Sequence, residues 1–238
     1  MATLSVILIT KNEEADLPAC LESVSFADEI IIVDNGSTDR TQEIAKQHNA
    51  KFFSEDWHGF GPQKNLSLSK TTCDWVFSID ADEVVPEKLA FEIQKTIENP
   101  VYNGYTISRA TTFCGKKVRF GDWGRDKVLR LFRSGSGSFT NDQLHERVVI
   151  NDVTGNLKNS MVHNSVSSIK DAKEKMISYA EISAKGRRHS LLKAITRAGW
   201  TFFRSYVLRF GCLDGVTGFH VARLCAQGTY LRYTLAKK

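Results

Sequence analysis

No stretch of the 238-residue chain reaches the ~18 consecutive apolar residues expected of a membrane-spanning helix. Its five cysteines, Cys20, Cys73, Cys114, Cys212 and Cys225, are odd in number and never spaced as CxxC. That argues against a disulfide framework or a zinc site and for a reducing compartment. The opening "MATLSVILITKNEE" has neither a basic flank before its apolar run nor a small-residue cleavage site after it. It therefore reads as a first strand rather than a signal peptide, and a cytoplasmic protein is expected. Internal repeats and low-complexity segments are missing too. Acids are scarce at the C-terminal end: residues 185–238 hold 11 Lys or Arg against Asp214 alone, a charge of +10 that leaves −5 for residues 1–184 of the overall +5.

What is present suits a packed fold, with 42% apolar and 25% charged residues. The charge split suggests an acidic body (1–184) that handles something small through a cation, and a basic tail (185–238) that meets a polyanion or an anionic surface.

"LSVILIT" (4–10) and "EIIIVD" (29–34) are continuous β-branched runs of the kind found in strands buried on both faces. Helical patterns follow each, at 13–24 and 37–48, the second behind a Ser or Thr cap. A short strand is expected at 50–55, a helix at 61–71, a strand at 74–82 and a helix from Pro86 to 99. Strand and helix alternating four times predicts an α/β fold, a mostly parallel sheet flanked by helices. Ligands bind such sheets beyond the carboxyl ends of the strands, where Asp34 and the Asp80/Asp82 pair fall.

The stretch "VFSIDADEVVP" (76–86) crowds Asp80, Asp82 and Glu83 at such an end. In an extended chain Asp80 and Asp82 would share a face about 6.5–7 Å apart, where two charges repel by roughly 2–3 kcal/mol at an effective dielectric near 20. Either these acids cap the helix that starts near Pro86 or face water, or they hold a hard cation such as Mg²⁺ or Mn²⁺ shared with substrate phosphates. Position favours the cation.

"LSVILITKNEEADLPACLESV", "EIIIVDNGSTDRT" and "DWVFSIDADE", in that order, resemble the nucleotide-sugar domain of the inverting family-two glycosyltransferases, which have the GT-A (Rossmann-like) fold. The resemblance covers roughly residues 1–150. It implies that Thr10 and Glu13 lie against the nucleoside, that Asp34 accepts from the uracil ring, and that Asp39 fixes its loop. Lys64 in "GPQKN" would approach the diphosphate, Asp80 the ribose or the metal, and Asp82 the metal. Asp34 before Asn35-Gly36 also reads as an ordinary turn residue, and both roles are compatible.

Inverting transfer needs a base for the attacking hydroxyl and positive charge for the departing phosphate. "FTNDQLHERVVI" (139–150) offers Asp142, His145 and Glu146. The sequence most resembles the bacterial lipopolysaccharide-core glucosyltransferases, in which a His-Glu pair occurs at this place, so Glu146 is expected to be the base with Asp142 second. The family's more widespread Glu-Asp acceptor motif is not seen. The bland reading of Glu146 is a surface acid paired with Arg147 or Arg133. Among Arg125, Arg130 and Arg133, Arg130 is chosen for phosphate contact. Trp123 could stack on a sugar, or be buried, and His145 and His163 could meet phosphate or acceptor.

In the tail, "SLLKAITRAGWTFFRSYVLRF" (190–210) places Leu191, Leu192, Ile195, Ala198, Phe202, Phe203, Tyr206 and Phe210 on one side of a helix, with Lys193, Arg197 and Arg204 opposite. This is the pattern of an interfacial anchor on an anionic membrane, or of a helix packed on its own domain. A second basic helix is expected over 210–224. The resemblance implies transfer of a hexose, glucose from UDP-glucose, onto a heptose hydroxyl of the lipopolysaccharide inner core, by a protein peripheral on the cytoplasmic face of the inner membrane. Two rivals, besides transfer to another lipid-linked glycan, fit less well. A nucleotidyltransferase calls for a glycine-rich basic loop where "TKNEEAD" is acidic. A nucleic-acid-binding tail has no recognition motif beside it, so no nucleic acid partner is expected.

Overall fold

The computed structural model describes residues 1–124, 126–141, 146–166, 168–184 and 189–235. In chain order the elements are β1 (Leu4–Thr10), α1 (Leu17–Ser23), β2 (Glu29–Asp34), α2 (Thr41–Gln47), β3 (Lys51–Ser54), α3 (Phe60–Ser69), β4 (Trp75–Ser78), β5 (Glu83–Val84) and α4 (Glu87–Glu98). There follow β6 (Gly104–Phe113), β7 (Lys116–Lys117), β8 (Asp126–Arg133), β9 (Gly137–Phe139), β10 (Val148–Ile150) and β11 (Gly155–Val166). Helices α5 (Ile169–Ala184), α6 (Leu191–Phe203) and α7 (Gly215–Thr234) close the chain, with a π-turn (Arg204–Leu208) and a 3₁₀ turn (Gly211–Asp214) between the last two.

The main sheet runs β3-β2-β1-β4-β8-β6-β11-β5, with β7 beside β6. Its leading strands β3, β2, β1 and β4 are parallel, and β8 joins β4 antiparallel. The continuous apolar runs follow from burial on both faces. Val6 and Leu8 of β1, Ile30 and Ile32 of β2, and Trp75 and Phe77 of β4 enter one core with α1 and α4. The residues between them, Ile7, Ile31 and Val76, enter a second core with Phe132, Phe139 and Val148. The expected α/β architecture with the GT-A-like arrangement is present.

The chain divides into two compact units, one of Met1–Ser108 with Lys127–Val162 and one of Arg109–Asp126 with His163–Lys238. The basic residues 189–235 are thus part of a larger second unit, built on Phe113, Val118, Val166, Ala172, Val221 and Leu224.

Three local expectations are corrected. The fourth strand stops at Ser78, and Asp80–Glu83 is a turn closed by the Glu83 N–H to the Asp80 carbonyl (3.0 Å), so Asp80 and Asp82 do not alternate along an extended chain. Helix α2 begins at Thr41 rather than near Ser37, because Ser37 and Asp39 use their side chains to shape the loop before it. In the second unit, α6 turns inward only part of the expected stripe, rotated toward its smaller residues. Ala194 and Ser205 are buried, with Ala198, Thr201 and Phe202 half-buried between them, while Leu191, Leu192, Ile195, Phe203 and Phe210 are exposed. Small residues let α6 and α7 approach closely; Thr201 and Thr229 hydroxyls meet at 3.3 Å, and Val221 and Ala222 are buried. Phe202 of the stripe also packs on Phe219 of α7, with ring centres 5.8 Å apart, so the inward face combines small residues with an aromatic one.

Candidate active site

The carboxyl ends of β1, β2 and β4 fall on one edge of the first unit's sheet, since Thr10 pairs with Asp34 and Ile7 with Ser78. Asp34 is buried there. Its carboxylate accepts from the Thr10 hydroxyl (2.8 Å), the Ser37 N–H (2.7 Å) and the Ser37 hydroxyl (2.5 Å). The turn role is therefore filled, with lone pairs remaining.

The loops after β1 and β2 are stitched together. Asn12 Oδ1 accepts from the Thr38 N–H (2.8 Å), the Glu13 N–H donates to Thr41 Oγ1 (2.8 Å), and the Glu14 N–H donates to Asp39 (3.1 Å). Asn12 takes a left-handed φ of 56° to make this possible. Burial works against the charge of Asp39, yet donation from Thr41 and Glu14 holds its carboxyl below the usual range. Asp39 thus fixes the loop.

The "GPQKN" segment lies in α3 and does three things. Gly61 sits so close to the next segment that a Cβ would fall 1.8 Å from the Thr140 carbonyl oxygen. Asn65 grips the Phe139 backbone in both directions, donating to its carbonyl (2.9 Å) and accepting from its N–H (2.8 Å). Lys64, held between these anchors, is buried and reaches Asp80 (2.8 Å) and Glu146 (2.7 Å) with one ammonium. Glu146 stands at the base of the β9–β10 hairpin, where Thr140 and Arg147 exchange backbone and side-chain hydrogen bonds.

On the other side of Asp80 lies Arg130 of β8, also buried, which donates to Asp80 and to Glu83 (3.1 Å). Glu83 has no exposed surface and accepts the Asp80 N–H as well (2.9 Å). Burial alone would raise the Asp80 carboxyl; Arg130 and Lys64 overcome this and hold it well below the usual range. Burial would likewise weaken the Arg130 charge, but Asp80 and Glu83 raise its affinity for the proton instead.

A buried acid does not by itself mark this edge. Glu29, at the opposite end of β2, is held at about 2 against its burial by Lys51, Ser5 and Thr72, in a purely internal arrangement.

Of the expected site residues, the structure brings Lys64, Asp80, Arg130 and Glu146 into one ion-paired group, with Thr10, Glu13, Asp34 and Asp82 on the adjoining turns. Glu146 pairs with Lys64 and is largely shielded. Helix α4 has Pro86 at its N-cap, which offers no side-chain cap. Asp142, His145 and Arg125 lie outside the described residues. Trp123 and His163 belong to the second unit, where Trp123 packs on Phe113 with ring centres 6.0 Å apart.

Gly61 and Asn65 were not singled out from the sequence, and Glu83 was read only as a member of the acidic cluster, not as a partner of Arg130. A glycine and an asparagine flanking a lone helical lysine were the available signal. The amide of Gln63 and Nε of Arg130 are buried without a hydrogen-bond partner among the described residues, a state that native proteins rarely leave unexplained.

Among the described residues no three His, Cys, Asp or Glu side chains are arranged to hold a metal by themselves. Both Asp80 oxygens already face cations; Asp82, on the same turn, is the other acid that could share a divalent ion. The charge balance suits such an ion. Asp34, Asp80, Asp82, Glu83 and Glu146 outnumber Lys64 and Arg130, so the group carries net negative charge that a cation would offset.

Comparison with known proteins agrees with this geometry. A lipopolysaccharide core biosynthesis glycosyltransferase, LpsC of Rhizobium meliloti, is 29% identical over 98% of this chain and 93% of its own. An uncharacterized glycosyltransferase of Rickettsia typhi is 32% identical over 98% of this chain and 86% of its own. Among solved structures, S. aureus TarS (residues 1–349) superposes with a TM-score of 0.51 at 17% identity, over 90% of this chain and 75% of that one, a likeness of fold. The model of glycosyl transferase family 2 matches residues 5–155, and the chain belongs to that family.

Proposed function

We propose that the protein transfers a hexose, glucose from UDP-glucose, with inversion onto a sugar hydroxyl of the lipopolysaccharide inner core, a heptose. The observation that carries this reading is the Lys64–Asp80–Arg130–Glu146 group at the carboxyl edge of the parallel strands, beside Asp34 and Asp82. Similarity to a lipopolysaccharide core glycosyltransferase along almost the whole chain supports the acceptor class.

In this reading Thr10, Glu13 and Asp34 receive the uridine, and Lys64 meets the diphosphate. Asp82 would hold Mg²⁺ or Mn²⁺, which offsets charge on the departing diphosphate. Arg130 and Glu83 keep Asp80 in place, with the unpartnered Arg130 Nε as a further donor toward phosphate. Glu146 takes the proton from the acceptor hydroxyl as its oxygen attacks the anomeric carbon, and UDP leaves from the opposite face. A single displacement of this kind inverts the anomeric centre and needs no enzyme nucleophile.

The second unit supplies a surface for an anionic membrane, where a lipid-linked acceptor would be met. Among the described residues no helix is long and apolar enough to cross a membrane. Between α6 and α7, however, Val207, Leu208, Phe210, Leu213 and Val216 are exposed, near in sequence to Arg204 and Arg209, both of which pair with Asp122. Exposed apolar side chains beside arginines suit the interface of an anionic bilayer.

The test is calorimetric titration of UDP into the protein with Mn²⁺ and with chelator, repeated for Asp82→Asn. Binding that needs the ion and is lost in the variant is expected. Failure of UDP to bind under every condition would remove the donor assignment.

A further inference from the structure

The expected base is engaged by a neighbouring cation. Glu146 Oε1 lies 2.7 Å from the Lys64 ammonium, and the same ammonium is 2.8 Å from Asp80 Oδ1. An acceptor hydroxyl that approaches this Glu146 oxygen must displace the ammonium from it. Lys64 is also the cation expected to meet the donor's diphosphate, and with side-chain exposure of only 5% it has little room to serve all three anions at once.

We propose that Lys64 is a latch on Glu146 which the donor opens. The diphosphate draws the ammonium away from Glu146 and keeps it beside Asp80, so that the base becomes free only when the sugar nucleotide is in place. This rests on the donor and base assignments above.

The surroundings favour a change confined to side chains. Helix α3 is pinned to β9 by the Asn65–Phe139 clamp and by the tight Gly61–Thr140 approach. Glu146 is tied through Arg147 to Thr140. The backbones that carry Lys64 and Glu146 are therefore fixed to each other. Asp80 stays charged under Arg130, providing a constant second anchor for the lysine. What can exchange is the third partner, Glu146 in the free protein and phosphate oxygens in the complex. The consequence is an ordered reaction, donor before acceptor, with the base masked whenever no donor is present to react.

The latch makes a prediction opposite to that of a simple supporting contact. If donor binding must break the Lys64–Glu146 pair, then removing the charge of Glu146 makes donor binding easier although turnover is lost. Glu146→Gln, which keeps the side chain's shape, is therefore expected to bind UDP with Mn²⁺ more tightly than wild type. The gain should lie between about threefold and a hundredfold, the span of coupling between groups in direct contact. Uridine, which has no phosphate, should bind both proteins alike. In a Lys64→Met background the same Glu146→Gln change should have no effect on UDP affinity.

Unchanged or weaker UDP binding by Glu146→Gln would overturn the latch while leaving the donor site intact. Tightening that persists in the Lys64→Met background would also overturn it, since the effect would then be general repulsion between Glu146 and phosphate. If UDP binds to none of the four proteins, the donor assignment itself fails, and the latch with it.

Discussion

Arg130→Met should expose how the site's buried charges are held. The guanidinium lies 3.1 Å from Glu83, a carboxylate with no exposed surface, and also contacts Asp80. At an effective dielectric of 20 the Glu83 contact alone amounts to about 5 kcal/mol of attraction. The variant need not lose all of this, because one of the two carboxylates can take up a proton instead. For a carboxyl of ordinary affinity that costs about 4 kcal/mol at pH 7 and about 1 kcal/mol at pH 5. The expected destabilisation is therefore about 4 kcal/mol at pH 7, within the range for breaking a buried pair, and about 1 kcal/mol at pH 5.

The signs are fixed by linkage. In wild type the Asp80 carboxyl is depressed, so its contribution is complete above the ordinary carboxylate range and is lost only as pH falls through the lower folded value. In the variant the folded state binds a proton that the unfolded state lacks, so stability rises as pH falls from 7 to 5. Urea unfolding followed by circular dichroism at both pH values measures the gap. Equal losses at pH 5 and pH 7, or a loss below about 1 kcal/mol at pH 7, would show that the guanidinium does not hold these carboxylates in their charged forms.

Gly61→Ala places a methyl against the Thr140 carbonyl, where backbone has to yield; a loss of about 1–3 kcal/mol in urea unfolding is expected, with weaker UDP binding because Lys64 moves. Gly199→Ala on α6, which has open space around it, should instead stabilise by up to about 1 kcal/mol. For the membrane surface, Leu208→Ser with Leu213→Ser should reduce co-sedimentation with phosphatidylglycerol-containing vesicles at least about tenfold, given about 1.5–3 kcal/mol for burying each leucine. Wild type that ignores the vesicles, or a variant that binds as well as wild type, would remove that surface from consideration.

The parts of the fold that could be read from the sequence are those where one physical demand acts alone. Strands β1 and β2 match their apolar runs residue for residue, because burial on both faces leaves polar side chains no place except the ends. The polar Thr10 and Asp34 at those ends were legible for the same reason. Where local and tertiary demands compete, the pattern misled. Asp80–Glu83 looks like the end of a strand, but Glu83 turns back to the Asp80 N–H and Arg130 to form a buried turn. Nothing near Glu83 in sequence announces an arginine 47 positions away. In α6 the largest side chains define the stripe, yet only Phe202 and Ala198 of it turn inward, beside Ala194 and Thr201, while Leu191, Leu192, Ile195 and Phe203 stay exposed, because close approach of α7 favours small residues. Lys64 was legible as a cation in a suggestive place; its double engagement with Asp80 and Glu146 depends on the hairpin that returns about 80 residues later.

The stitching between the loops after β1 and β2 bears on how this site could be altered. Because Asn12 answers Thr38, Glu13 answers Thr41 and Glu14 answers Asp39, the two segments behave as one cooperative object. Grafting either loop alone from a relative of different nucleotide preference would leave donors facing the wrong acceptors. Residues 11–16 and 35–41 form the smallest exchangeable module, and an attempt to reprogramme the donor should begin by transplanting both.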